Sequence, residues 1–97
     1  LGDVALLNRV IPNPFSSTMS YSYRVVDGGE QSVDVGLYDM AGRLVRRLAS
    51  GSQATGVYTV QWDGRSDAGD QVAPGVYILR ARVAGLQRVN RVIFLKR

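Results

Sequence analysis

The chain contains no cysteine and no histidine. Those two absences exclude thiol nucleophiles, disulfides, zinc sites built from the usual ligands, and every Ser-His or Cys-His pairing. A cysteine-free domain suits the cytosol, and it equally suits an exported bacterial module that folds without oxidants. No apolar run approaches the roughly 20 residues that span a bilayer as a helix, so no membrane insertion is expected. No ten-residue stretch carries an amphipathic helical period. Proline is confined to positions 12, 14 and 74, and lysine to position 96.

What is present is a globular composition, 45 % hydrophobic and 21 % charged, on 97 residues. That length suits one domain, and residues 1–97 are read as a single unit. The net charge is +4, carried almost entirely by arginine. The arginines are spread along the chain, and only Arg46–Arg47 and Arg80/Arg82 cluster. A nucleic-acid footprint would need a basic patch interleaved with aromatics, so no nucleic-acid partner is expected.

Apolar residues recur with period two, the mark of strands with one buried face. "TMSYSYRVV" puts Met19, Tyr21, Tyr23 and Val25 on one side, and "SVDVGLYDM" does the same with Val33, Val35 and Leu37. "VYTVQWD" aligns Tyr58, Val60 and Trp62; "VYILRARV" aligns Tyr77, Leu79, Ala81 and Val83. "VNRVIFLKR" is apolar on both faces, so its register stays open. Seven strands follow, over about 4–11, 18–26, 32–39, 43–49, 56–63, 74–84 and 87–96. "RLVRRLAS" has room for a helical turn or two, but flanking glycines favour a strand. Turn chemistry separates the strands: the two prolines of "PNPF", "DGGE" as a hairpin turn, "DMAGR" as a tight turn, and the longer "GSQATG" and "DGRSDAGDQVAPG". Short strands at this spacing predict an all-β, seven-stranded antiparallel sandwich.

The stretch "WDGRSDAGDQVAPGVY" holds three acids, Asp63, Asp67 and Asp70, which admit two readings. They could offer oxygen ligands to Ca²⁺, although their spacing is not that of an EF-hand. The favoured reading is a turn, with Asp63, before Gly64, accepting backbone N–H groups and Gly69 and Gly75 supplying unusual backbone angles. Catalysis by paired carboxylates needs a sugar-binding cleft. No phosphate-binding loop is present either. No catalytic residue, metal or cofactor is expected, and the chain is read as not an enzyme. Trp62 and most tyrosines fall on the buried faces, with the indole N–H of Trp62 meeting a loop acceptor. Tyr38 falls on the opposite face and is the candidate for stacking on a sugar.

The order of "PNPF", "TMSYSY", "VGLYDMAGRLVRRL", "GVYTVQWDGRSDAGDQVAPGVYILR" and "RVIFLKR" resembles the Ig-like C-terminal modules of exported bacterial proteins. Two types share the pattern: the Ig-like domain of the flagellar hook-capping protein FlgD, and the C-terminal sorting domain of type IX secretion cargo. The resemblance runs from about Ile11 to Lys96 and rests on a framework of Pro12, Asn13, Pro14, Asp39, Gly42, Trp62, Asp63, Gly64, Gly75 and Tyr77. It implies an Ig-like β-sandwich that is the C-terminal module of a longer exported precursor. Such a module is secreted or held at the cell surface. Sorting domains commonly carry lysines in the last strand, where this chain has Arg88, Arg91 and Lys96. The implied role is secretion, sorting or surface attachment through protein–protein contact, with a hook-cap-like assembly module and a carbohydrate-binding module as alternatives. The expected partner is secretion machinery or an upstream domain of the same precursor. The contact is expected on the last strand and tail: Arg91, Val92, Phe94, Lys96 and Arg97. Exposed edge strands also allow weak self-association, which the dispersed arginines oppose.

Overall fold

The alternating segments form two packed antiparallel sheets in a computed structural model that describes residues 7–26 and 28–95. The strands are β1 (Val10–Ile11), β2 (Met19–Val25), β3 (Gln31–Tyr38), β4 (Leu44–Gln53), β5 (Gly56–Trp62), β6 (Gly75–Val83) and β7 (Leu86–Phe94). One sheet has the order β1-β2-β5 and the other β4-β3-β6-β7. This is the expected all-β, Ig-like sandwich.

The core is the apolar set that period two marks. From the three-stranded sheet, Met19, Tyr21, Tyr23, Val25 and Trp62 are buried. They face Val33, Val35, Leu37, Leu79 and Ala81 of the other sheet. Each fully buried large side chain stabilises the fold by roughly 1.5–3 kcal/mol relative to exposure. Register in β7 is settled by the same core: Val92 and Phe94 point inward, while Val89 stays exposed. Tyr58 and Val60 are only half-buried, because β5 is the edge of its sheet.

Several connections differ from the sequence reading. The first strand is two residues long among those described; Asn8 takes a left-handed φ of 62°, which breaks the expected run 4–11, and residues 4–6 lie outside the described set. Asparagine tolerates that conformation better than most residues. "DGGE" is not a hairpin turn, since β2 and β3 belong to different sheets and the segment carries the chain across the sandwich; Asp27 lies outside the described residues. "GSQATG" is mostly strand, because β4 runs on to Gln53 and leaves only Ala54–Thr55 before β5.

In "RLVRRLAS" the helix-like spacing of Val45 and Leu48 comes from two β-bulges. Val35 pairs Ala49 while Gly36 pairs Arg47, and Leu37 pairs Arg46 while Tyr38 pairs Leu44. Leu48 and Val45 are the extra residues, and both turn onto the core. The β6–β7 hairpin turns at Ala84 and Gly85, both at positive φ, as a two-residue hairpin of matching twist requires.

Candidate functional site: the two edges of the four-stranded sheet

The outer strands of the four-stranded sheet, β4 and β7, expose backbone groups that could pair with another chain. Each is partly closed by a short polar side chain. At β7, Asn13 of "PNPF" accepts a hydrogen bond at Oδ1 from the Ile93 N–H at 2.9 Å and donates from Nδ2 to the Arg91 carbonyl at 2.7 Å. Pro12 and Pro14 have no N–H to offer, so the amide of the residue between them stands in for a peptide group. The Ile11–Pro12 and Asn13–Pro14 peptide bonds are cis. Beyond Asn13 the backbone takes over: Phe15 N–H donates to Ile93 O at 3.0 Å, and Leu95 N–H donates to Phe15 O at 2.7 Å. The segment that begins beside β2 therefore switches sheets and continues along β7.

At β4 the partner is the acidic loop. Asp67 N–H donates to Val45 O at 3.0 Å, and Asp67 Oδ1 accepts the Arg47 N–H at 3.1 Å. Arg46 Nη1 adds a bond to Ser66 O at 3.2 Å. Asp63 Oδ1 accepts the Arg65 N–H at 3.2 Å, and Trp62 Nε1–H donates to Arg65 O at 2.8 Å, as the turn reading requires. Asp70 contributes its carbonyl, which accepts the Ser66 N–H. Among the described residues no three acidic side chains gather in a group that could hold a metal ion. The loop closes a sheet edge.

The framework residues gather at this end of the sandwich. Phe15, Phe94 and Tyr77 surround Trp62, with ring centroids 5.5, 5.9 and 5.3 Å from it. Gly64 lies against Phe94, and Gln71 Nε2 donates to its carbonyl at 3.2 Å. Gly75 opens β6 opposite Phe94. The Tyr77 hydroxyl donates to Ala73 O. Burial pushes the Tyr77 phenol up, and the charge on Asp39 adds to the shift.

Asp39 and Gly42 form the β3–β4 turn. Asp39 Oδ1 accepts the N–H groups of Ala41 and Arg43, each at 2.9 Å, and Oδ2 accepts Arg43 Nε at 3.0 Å. These bonds, led by the Arg43 backbone N–H, hold its carboxyl below the usual aspartate value. Gly42 supplies a φ of 87°. All these framework positions are structural.

The residues expected to meet a partner divide. Arg91 is exposed, but Val92 and Phe94 are 0 % and 2 % exposed. Both side chains are packed in the core and offer no surface in the folded domain. Lys96 and Arg97 lie outside the described residues. Tyr38 is half-buried, and the Arg80 guanidinium covers its ring at 4.4 Å while Nη2 donates to its hydroxyl at 2.7 Å. That ring face is therefore not open for a sugar.

Two roles were missed from the sequence, the edge contacts of Asn13 and of Asp67. The proline flanks of Asn13 were a usable signal, because they mark a backbone that cannot supply a continuous ladder. Nothing local marked Asp67, whose partner lies 20 residues away.

Comparison with known proteins agrees with this architecture. The FlgD Ig-like domain family matches residues 12–85. No curated protein matches the sequence. Among solved structures, the dimeric latent PorU of Porphyromonas gingivalis is similar over 92 % of this chain, at 24 % identity and a TM-score of 0.67. The matched region is 9 % of the PorU chain, so this domain corresponds to a small part of that protein. FlgD from Xanthomonas campestris, described for its part in hook capping, is similar over 92 % of this chain and 69 % of its own, at 20 % identity and a TM-score of 0.57. Likeness at these identities is a likeness of fold. With more than half its length matched by one family, the chain belongs to the FlgD Ig-like domain family.

Proposed function

We propose that this domain is a non-catalytic module of an exported bacterial protein, secreted or held at the cell surface, that acts in sorting or attachment through protein–protein contact. The observation that carries the reading is the construction of β7. Its core side is locked by Val92 and Phe94, and its upper edge is held by Asn13 and Phe15. Arg91 is exposed on the outer face of that strand. Arg91, with Lys96 and Arg97, is the group we assign to partner contact. The partner is secretion machinery or an upstream domain of the same precursor.

The test is the fate of a reporter fused upstream of residues 1–97 in a host with type IX machinery. Arg91→Glu/Lys96→Glu/Arg97→Glu is compared with the unaltered domain, because deleting 91–97 would remove two core residues. Export of the unaltered fusion with periplasmic retention of the variant, both folded by circular dichroism, supports the reading. Equal export of the two, or retention of both, refutes it.

A second reading, an assembly module of the hook-cap type, is favoured by the family match over residues 12–85. It predicts retention of both fusions, together with binding of the domain to other subunits of its own assembly.

A further inference from the structure

The lower half of β7 differs from the upper half. A strand residue turns its N–H and C=O to the same side, and successive residues alternate. Ile93 turns both groups outward, to Asn13 and Phe15. The β6–β7 register runs without a break from Leu86 to Phe94, so Gln87 and Val89 turn theirs outward too. No described segment pairs with them, and Leu86 and Val89 are 72 % and 56 % exposed. Beside this stretch, between the two sheets, lies a groove of about 320 Å³. Its apolar lining includes Val26, Ala81, Val83 and Leu86, and Arg24 and Arg88 stand at its rim.

We infer that the open edge at Leu86–Val89 is a strand-addition site for an extended, acidic segment of a partner protein, which sets an apolar side chain into the groove. The inference deepens the protein-contact reading and rests on it. The open N–H and C=O groups of Gln87 and Val89 would supply the backbone pairing, and the groove would supply side-chain selection. Charge names the partner. Among the described residues no carboxylate comes within 4 Å of Arg24, Arg82, Arg88 or Arg91, while Asp39, Asp67, Asp34 and Asp63 are paired with Arg43, Arg46, Arg47 and Arg65 in turn. An incoming strand that turns its apolar residues to the groove, beside Leu86 and Arg88, turns its acidic residues to the outer face, where Arg82 and Arg91 stand. A second copy of this chain is a poor occupant: it carries the same +4 charge, and antiparallel pairing centred on Arg88 would set Arg88 against Arg88.

The experiment is an NMR titration of the ¹⁵N-labelled domain with the peptide EVEVEVEV, using KVKVKVKV as control. The acidic peptide should shift the Gln87 and Val89 amides and slow their hydrogen exchange, and the lysine peptide should not. Val89→Pro removes an N–H that no described residue pairs with, at an edge position where proline is tolerated. It should weaken binding at least tenfold, as should Arg88→Glu, a surface change that spares the backbone.

Shifts confined to other surfaces, or affinity unchanged by both variants, would overturn the inference. So would equal binding of the two peptides, or concentration-dependent shifts of Gln87 and Val89 without peptide, which would make a second copy the occupant. Export of the reporter fusion without peptide contact at β7 removes only the strand-addition site. Peptide binding with equal fates for the charge-reversed and unaltered fusions removes only the sorting role.

Discussion

Gly64 lies so close to Phe94 that a Cβ at position 64 would sit 2.6 Å from Cζ of the ring, with φ at 80°. Phe94 also stacks on Phe15, with the ring centroids 5.0 Å apart, which limits how far it can yield. Gly64→Ala therefore combines a left-handed backbone penalty with overpacking, for about 2–4 kcal/mol in total. Urea unfolding followed by Trp62 fluorescence should show that loss. A change below about 0.5 kcal/mol would mean that the ring and loop relax together.

Asn13→Ala removes both side-chain bonds to β7, for about 1–3 kcal/mol. Asn13→Asp keeps the acceptor for Ile93 but sets a carboxylate oxygen against the Arg91 carbonyl. Both variants should lower stability, while only the alanine variant should speed hydrogen exchange at the Ile93 amide. Unchanged Ile93 exchange in Asn13→Ala would refute the edge-closing role.

Phe15→Ala should cost about 3–5 kcal/mol, because Phe15 fills the space between Trp62 and Phe94. The indole, now 1 % exposed, should gain solvent contact. A red-shifted Trp emission and weakened near-ultraviolet circular dichroism are the expected readouts.

Asp39 gives the acid side of the stability profile a defined sign. Its folded carboxyl titrates below the ordinary aspartate value, chiefly through the Arg43 backbone N–H. The stabilisation is therefore complete above the unfolded value of about 4 and is lost as pH falls through the lower folded value. In Asp39→Asn, stability should fall less steeply as pH drops below about 4 than in the unaltered domain. Parallel profiles would remove this linkage.

Burial raises the Tyr21 and Tyr23 phenols above the ordinary tyrosine value, against the opposing influences of Arg88 and of the Gln53 hydrogen bond. The contribution is present below the unfolded value of about 10 and is lost as pH rises through the higher folded value. Tyr23→Phe should flatten the alkaline fall in stability above about pH 10, read by thermal unfolding at stepped pH.

Period-two alternation was enough to place Tyr21, Tyr23, Leu37, Leu79 and Trp62 inside, because a strand has only two faces and water selects between them. The rule has no purchase at Val45 and Leu48, since a bulge adds a residue and reverses the parity beyond it. It also gave no hint of which strands pair. "DGGE" resembles a hairpin turn in composition, yet it joins two sheets, because glycine permits both geometries equally. The last strand was legible as a strand but not as two faces; the fold put Val92 and Phe94 in the core and left Arg91 exposed.

The sequence by itself determined the strand content, the core residues, the turn at Asp39–Gly42 and the family, since each follows from local backbone preference, side-chain period and motif order. Tertiary structure alone decided that Asn13 closes β7 and Asp67 closes β4, and that no other described segment pairs with β7 at Leu86–Val89. Those contacts join residues 80 and 20 positions apart in the chain. A hydrogen bond between distant segments depends on how the sheets stack and where the edges fall, and no local preference encodes that.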